Sequence, residues 1–315
     1  MNIAYSCDEN YVQHTGISII SLLDNNQESA EINIYFIERN VSEKSLELLN
    51  RIVASYGRKF FVIPFEKISF RLKTAHVGRH VETIYAKLFF GNIKNLDKIF
   101  YLDSDTIVTN SLETLWNTNL DGFYFGCVKT ITKDPCEALG ISKSEDFFND
   151  GVALVNTAAL REDKMEDKFL QYISRFNGNP PFLSEGTINV VCKGKILALN
   201  PTYNLSSGFL MFQNEDLRVV ACQPLNFYSD EQLESAKTNP IVIHYLAGWF
   251  KRPWEKGCSH PMKAHYEKYK AQSPWRDEPY TARRLSLKIK ILRIAYHILP
   301  VRWVLALQRL ISKMV

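Results

Sequence analysis

The sequence predicts an α/β fold, a central and mostly parallel sheet flanked by helices, followed by a basic helical tail. Short apolar runs alternate with helical periodicity from the first residues onward, and the ends of those runs repeatedly carry polar side chains. An apolar fraction of 46% over 315 residues, with 12% of all residues aromatic, supplies a core of the size such a sheet needs.

Residues 2–6 form an apolar strand that runs into Asp8-Glu9-Asn10-Tyr11, and Ile17, Ile19, Ile20, Leu22 and Leu23 then follow helical spacing. Strand, polar turn and helix make a first βα unit. Residues 32–37 are a second strand, Ser42 suits the N-cap of a helix running to Tyr56, and residues 60–63 are a third strand ended by Pro64. Residues 76–83 are polar and irregular, and a short helix over 84–90 places Lys87 just ahead of the strand 99–102. A strand over 123–128 leads into residues 130–148, a connection with Pro135 and Gly140 of the size of a lid or binding loop. Phe148-Asn149-Asp150-Gly151 enters the strand 152–155, residues 157–176 read as helix, and Asn-Gly-Asn-Pro-Pro at 177–181 breaks it. Ser184-Glu185-Gly186-Thr187-Ile188-Asn189 follows, then a strand over 195–199 and a turn-rich region at Tyr203-Asn204. A last strand over 240–243 delivers His244. The expected boundary lies near residue 275, with a catalytic body over 1–275 and a tail over 276–315.

The net charge of +4 is unevenly spread. Residues 281–315 hold eight Lys/Arg and no acid, which leaves 30 Lys/Arg against 34 Asp/Glu, or −4, on the rest. A mildly acidic body excludes nucleic-acid binding across the fold, and the tail suits an anionic surface. Six cysteines without a Cys-X-X-Cys pair exclude zinc knuckles and redox motifs, so buried thiols are expected. The first residues have no basic stretch followed by a long apolar one, so no signal peptide is expected and the protein should stay in the cytoplasm.

The chemistry gathers at strand ends. Ile99-Phe100-Tyr101-Leu102 is followed by Asp103-Ser104-Asp105, two carboxylates one residue apart. On an ideal strand they would face opposite ways, so both can hold one ion only if the chain turns after Leu102. Oxygen ligands of this kind suit Mg²⁺ or Mn²⁺ shared with substrate phosphates; a pair of solvated acids closing a strand is the plain alternative. Asp8, Asn10 and Tyr11, Asn149 and Asp150, and His244 also sit at strand ends, where open α/β sheets hold ligands. His244 is a credible third metal ligand.

Taken in order, Asp8-Glu9-Asn10-Tyr11, Tyr85-Ala86-Lys87, Tyr101-Leu102-Asp103-Ser104-Asp105, Phe148-Asn149-Asp150-Gly151, Gly186-Thr187-Ile188-Asn189 and His244-Tyr245 resemble family 8 retaining glycosyltransferases. The likeness runs from Met1 to about Trp254 and is to bacterial lipooligosaccharide galactosyltransferases and, more distantly, glycogenin. It implies a GT-A fold that uses a UDP-sugar and Mn²⁺, or Mg²⁺, to move galactose or glucose to a glycan or glycolipid acceptor. Residue by residue, it makes Asp8 and Asn10 hydrogen-bond partners of uracil and Tyr11 its stacking platform, unless Tyr11 is simply a core aromatic of the helix it opens. Lys87 stands where the family has a basic residue near the donor sugar, usually Arg. Asp103, Asp105 and His244 resemble the metal ligands, with Ser104 between them, and Asn149 and Asp150 join Glu185 as catalytic candidates.

Two departures from the family pattern stand out. Glu185 occupies the place where the family often has a Gln beneath the anomeric carbon. A carboxylate there could act as nucleophile or stabilise an oxocarbenium ion, whereas a Gln can only stabilise. The family's Gly-X-X-Lys-Pro-Trp becomes Gly248-Trp249-Phe250-Lys251-Arg252-Pro253-Trp254. Counting from Gly248 selects Lys251 as phosphate ligand; counting back from Pro253 selects Arg252, the alternate.

Residues 100–106 also resemble the Asp-X-Asp-X-Thr strand end of haloacid-dehalogenase-type phosphatases, but the adjacent aspartates those enzymes need occur nowhere in the chain. A binding protein that keeps the fold without turnover is the other alternative. In the tail, Arg283, Arg284, Lys288, Lys290, Arg293, Arg302, Arg309 and Lys313 alternate with Leu, Ile and Trp. This is the composition of a helix lying on an anionic membrane face, although residues 285–291 also fit the period of a strand.

Overall fold

The computed structural model describes residues 1–73, 82–130, 139–142, 145–221, 227–248, 250–282 and 287–305. Most of the expected lid over 130–148 and tail residues 283–286 and 306–315 lie outside the described residues.

Among the described residues ten strands are present: β1 Asn2–Asp8, β2 Asn33–Arg39, β3 Lys59–Pro64, β4 Lys98–Leu102, β5 Thr106–Val108, β6 Phe125–Lys129, β7 Phe148–Asn156, β8 Ile196–Ala198, β9 Leu205–Ser206 and β10 Val242–His244. Seven form the main sheet in the order β3-β2-β1-β4-β7-β6-β8. Within it β7 alone runs against its neighbours β4 and β6, while the β3-β2, β2-β1, β1-β4 and β6-β8 pairs are parallel. The central strands are covered on both faces, which is why they read as nearly continuous apolar runs. Alternation divides β1: Ile3, Tyr5 and Cys7 pack into one core with the Val12–Asp24 helix, and Ala4 packs into the other with Tyr85, Leu88 and Phe89.

Several expected elements take a more specific form. The helix over 84–90 belongs to a 3₁₀ segment, Glu82–Asn92. The 157–176 stretch divides into helices Thr157–Glu162 and Met165–Ser174, separated where Lys164 adopts a left-handed φ of 50°. The reversal of β7 has the largest consequence. Asn149 and Asp150 lie at its beginning, and because β7 runs antiparallel, that beginning meets the edge where β1 and β4 end.

Beyond the same edge lies a small second sheet, β5-β10-β9. In it His244 pairs with Thr106 across the antiparallel β10-β5 ladder and with Ser206 across the parallel β10-β9 ladder. The expected last strand thus belongs outside the main sheet. Its register with β5 sets His244 beside the turn that carries Asp105.

The tail segment Leu287–Ile298 is a helix, which decides between the two periods read there. Tyr296 packs edge-on against Phe212, and Val301 and Val304 are buried. No helix among the described residues is long and apolar enough to cross a membrane. Cys7, Cys127, Cys192 and Cys258 are free thiols, the first three buried.

Candidate active site

The chain turns immediately after Leu102, and Asp103, Asp105 and His244 converge. Their ligand atoms lie within 4.8 Å of one another. The His244 Nε2 is 3.1 Å from Asp105 Oδ1 and 3.7 Å from Asp103 Oδ2. The turn is held from behind: the Thr106 hydroxyl donates to the Asp103 carbonyl at 2.8 Å, and the Thr15 hydroxyl donates to the Ser104 Oγ at 2.8 Å. Ser104 therefore ties the turn to the Val12–Asp24 helix. Across the site, a Cβ on Gly151 would come within 2.4 Å of both Asp103 Oδ2 and His244 Cε1, so only glycine leaves this space open. Two carboxylates and an imidazole this close together suit a divalent cation of the Mn²⁺ or Mg²⁺ kind.

These three side chains are embedded in charge. Lys87 is fully buried, with Nζ 3.1 Å from Asp150 Oδ2, 3.8 Å from Asp103 Oδ1 and 4.4 Å from the centre of the Tyr101 ring. Burial alone would lower its pKa, but Asp150, Asp103 and Glu185 outweigh it and raise the value. Tyr101 donates to Asp103 Oδ1 at 2.7 Å. Burial would raise the Asp105 carboxyl, yet His244 and Arg252 more than offset it and hold it at about 2.

Arg252 spans the gap between the two sides of the site. Its Nη2 donates to Asp105 Oδ2 at 2.9 Å and its Nη1 to the Tyr11 hydroxyl at 2.8 Å, with the guanidinium 5.4 Å from the Trp254 ring. Lys251 takes another direction: its Nζ donates to the Lys256 carbonyl at 2.7 Å, and the structure does not bring it to the carboxylates. Gly248 adopts φ +136°, a conformation that side chains disfavour, so the loop from His244 bends there on its way to Arg252. Asp8 and Asn10 are joined to each other, Asp8 accepting from the Asn10 backbone N–H at 3.1 Å and from its side-chain amide at 2.9 Å.

Glu185 and Ser184 project from the Leu183–Val191 helix toward β7. Ser184 donates to Asp150 Oδ2 at 2.6 Å, and Asn149 donates to Glu185 Oε2 at 2.7 Å. Burial, and after it the neighbouring Asp150, push the Glu185 carboxyl up to about 8. Asn189 clamps this helix on β7 by accepting from the Phe148 N–H and donating to its carbonyl, both at 2.8 Å. Gly186 is required by contact, since a Cβ there would meet the Pro181 carbonyl oxygen at 2.0 Å. Asn204, buried and without any sequence signal of its own, links the two sets. Its side chain joins Asn149 at 2.8 Å and His244 Nδ1 at 3.1 Å.

A mostly parallel sheet whose edge gathers an Asp-X-Asp turn, a histidine and buried basic groups has the layout of a GT-A glycosyltransferase. The chain belongs to glycosyl transferase family 8, whose model matches residues 2–258. A putative glycosyltransferase of Haemophilus influenzae is 27% identical over 266 residues, covering 82% of this chain and 74% of that protein. A lipopolysaccharide 1,2-glucosyltransferase of Escherichia coli is 22% identical, covering 88% and 80%. The crystal structure of the galactosyltransferase LgtC in complex with donor and acceptor sugar analogues superposes with a TM-score of 0.70 at 20% identity, covering 88% of this chain and 99% of that one. The chain is thus a glycosyltransferase of GT-A fold, and membership of this family displaces the phosphatase alternative.

Proposed function

We propose that this protein transfers galactose or glucose from a UDP-sugar to a glycan or glycolipid acceptor, such as lipopolysaccharide or lipooligosaccharide, with retention at the anomeric carbon. The observation that carries this reading is the convergence of Asp103, Asp105 and His244 beside Arg252, which reaches from the metal-ligating carboxylates to Tyr11. Those three residues would hold Mn²⁺ or Mg²⁺, which when bound supplies positive charge to the pyrophosphate and eases the departure of UDP. Asp8 and Asn10 would exchange their mutual hydrogen bonds for the uracil edge, and Tyr11 would offer its ring to the base. Arg252, rather than Lys251, is positioned to give a two-pronged contact to phosphate oxygens once it leaves Asp105.

In the transfer, the bond from the anomeric carbon to the UDP oxygen breaks with its electron pair going to UDP. A bond to an acceptor hydroxyl oxygen forms on the same face, and the proton of that hydroxyl passes to the departing phosphate oxygen of UDP. Lys87 and Asp150 fix the floor beside Glu185. With its carboxyl at about 8 before the donor binds, Glu185 must give up a proton to serve as nucleophile or as stabiliser of positive charge at the anomeric carbon. Release of UDP from UDP-galactose and UDP-glucose, measured with Mn²⁺ and with EDTA and without acceptor, tests the reading. Glu185→Gln should keep UDP affinity and lower turnover by roughly 10²–10⁴-fold. UDP binding without any metal-dependent release or transfer would make the protein a non-catalytic binder.

Residues 1–275 would be the catalytic unit and 276–315 an attachment to an anionic membrane surface at the cytoplasmic leaflet. Leu287, Ile291, Ile294 and Ile298 are 73%, 56%, 58% and 73% exposed, and their spacing places them on one face of the helix. Tyr296, on the opposite face, packs against the body. An exposed aliphatic stripe with Trp303 beyond it, in a segment free of acids, favours the lipid surface over a merely solvated helix. Co-sedimentation with phosphatidylglycerol vesicles at low salt should be lost in an Ile291→Asn/Ile294→Asn variant; equal sedimentation removes the attachment.

A further inference from the structure

Asn204 lies at the end of the 3₁₀ turn Pro201–Asn204, immediately before β9, and is 1% exposed. Pairing of β9 with β10 sets it beside His244. Its amide bonds leave little choice of direction. Asn149 Oδ1 accepts from the Gly151 backbone N–H at 3.1 Å, and Asn149 Nδ2 donates to Glu185 Oε2 at 2.7 Å. The Gly151 N–H can only donate, so the orientation of Asn149 is fixed. Asn204 must then present Nδ2 to Asn149 Oδ1, at 2.8 Å, and turn Oδ1 toward His244 Nδ1, at 3.1 Å. An amide oxygen only accepts, so His244 carries a proton on Nδ1 and turns Nε2 toward Asp105 and Asp103.

We propose that Asn204 is a positioning residue: it sets the tautomer in which His244 can ligate the metal, and through Asn149 it ties that ligand to Glu185. The inference rests on the metal reading of the Asp103, Asp105 and His244 cluster and deepens it. A cation between the carboxylates and the imidazole would meet the Nε2 lone pair, because Nδ1 is the nitrogen whose proton Asn204 holds. The hydrogen-bond chain therefore prepares the imidazole before any ion arrives. One unbroken line of side chains, Glu185 to Asn149 to Asn204 to His244, also makes the geometry under the sugar depend on the same amide that orients the metal ligand.

The test uses the full chain and three readouts. In the metal-free wild type, ¹⁵N-labelled histidine spectra should show His244 protonated on Nδ1. Titration with Mn²⁺ alone, followed by the electron paramagnetic resonance of free Mn²⁺, should give an affinity that Asn204→Ala weakens by roughly 10–100-fold. Asn204→Asp separates the two links, because its carboxylate still accepts from Nδ1–H but cannot donate to Asn149. Mn²⁺ affinity should stay within about threefold of wild type by that retained bond, with kcat lowered and the donor KM unchanged. A His244 without a proton on Nδ1, or an Asn204→Ala protein that binds Mn²⁺ as tightly as wild type, overturns the inference and leaves the metal reading standing. Wild type without saturable Mn²⁺ binding overturns both. Should Asn204→Ala fail to fold, the histidine spectrum and Asn204→Asp decide. Loss of Mn²⁺ affinity in Asn204→Asp refutes the tautomer role, and an unchanged kcat refutes the tie to Glu185.

Discussion

The two sides of the proposed donor site are held together in opposite ways. On the nucleotide side, Asp8, half-buried, and Asn10, exposed, lie two residues apart and satisfy each other. On the metal side, Lys87, the Asp103–Asp105 turn, Asp150 and His244 come from four places in the chain, the side chains are mostly buried, and each is satisfied by a partner far along the chain. The local pair can exchange its own hydrogen bonds for a ligand's at little cost. The buried cluster cannot lose a member without leaving another charge uncompensated, which typically costs several kcal/mol. Affinity should therefore be graded on the first side and turnover all-or-none on the second.

The largest effect expected from that contrast is at the turn. Asp105→Ala should reduce Mn²⁺-dependent turnover by roughly 10³-fold or more, since several kcal/mol of charge stabilisation depend on the cation it helps hold. Steady-state rates in EDTA-treated, Mn²⁺-supplemented buffer check this, and near wild-type activity would dissolve the contrast.

Arg252 joins the two sides and sharpens it. Arg252→Ala should raise the donor KM by about 10–100-fold, the worth of hydrogen bonds to a charged group, while Lys251→Ala should stay within about twofold. The reverse ranking would return the phosphate contact to Lys251. A smaller change is expected at the local pair, where Asp8→Ala should weaken UDP about fivefold by calorimetry with kcat preserved.

The smallest expected effect concerns stability without metal. Below about pH 4.5 Glu185 is protonated in folded and unfolded chains alike, and between there and about 8 only the folded protein keeps the proton. Wild-type stability therefore falls relative to Glu185→Gln as pH rises through that window, by several °C in Tm, and levels off above it. Parallel melting curves for the two proteins in EDTA, with a constant offset from pH 5 to 8.5, would mean that Glu185 meets no such burial.

Much of this architecture was legible in the residues because it is written locally. The strands β1, β2 and β4 are apolar runs with polar ends, and Asp8-Asn10 and Asp103-Asp105 are short-range patterns. β5 and β9, three and two residues long, are too short to carry a period, and they are the strands that position His244 and Asn204. Asn204 has no signature because its meaning lies in the β9-β10 register. Asn149 and Asp150 read as strand-end residues, but that they begin a strand running the other way depends on the β4-β7 pairing. Lys251 and Arg252 are equivalent in a spacing count, and the guanidinium's partners, Tyr11 and Asp105, lie 241 and 147 residues away.

The β4-β7 ladder places Leu102 opposite Val152, and the Asp103 N–H donates to the Gly151 carbonyl at 2.7 Å. Strand pairing has a period of two, so a slip of one residue would bring Asp150 or Val152 across from Asp103 and fill the space that Gly151 leaves open. Such a misfolded molecule would be compact and inactive. Competence for transfer is in this sense a proofreading of strand alignment: counting active sites in a preparation would count the molecules whose central sheet has formed in the right register.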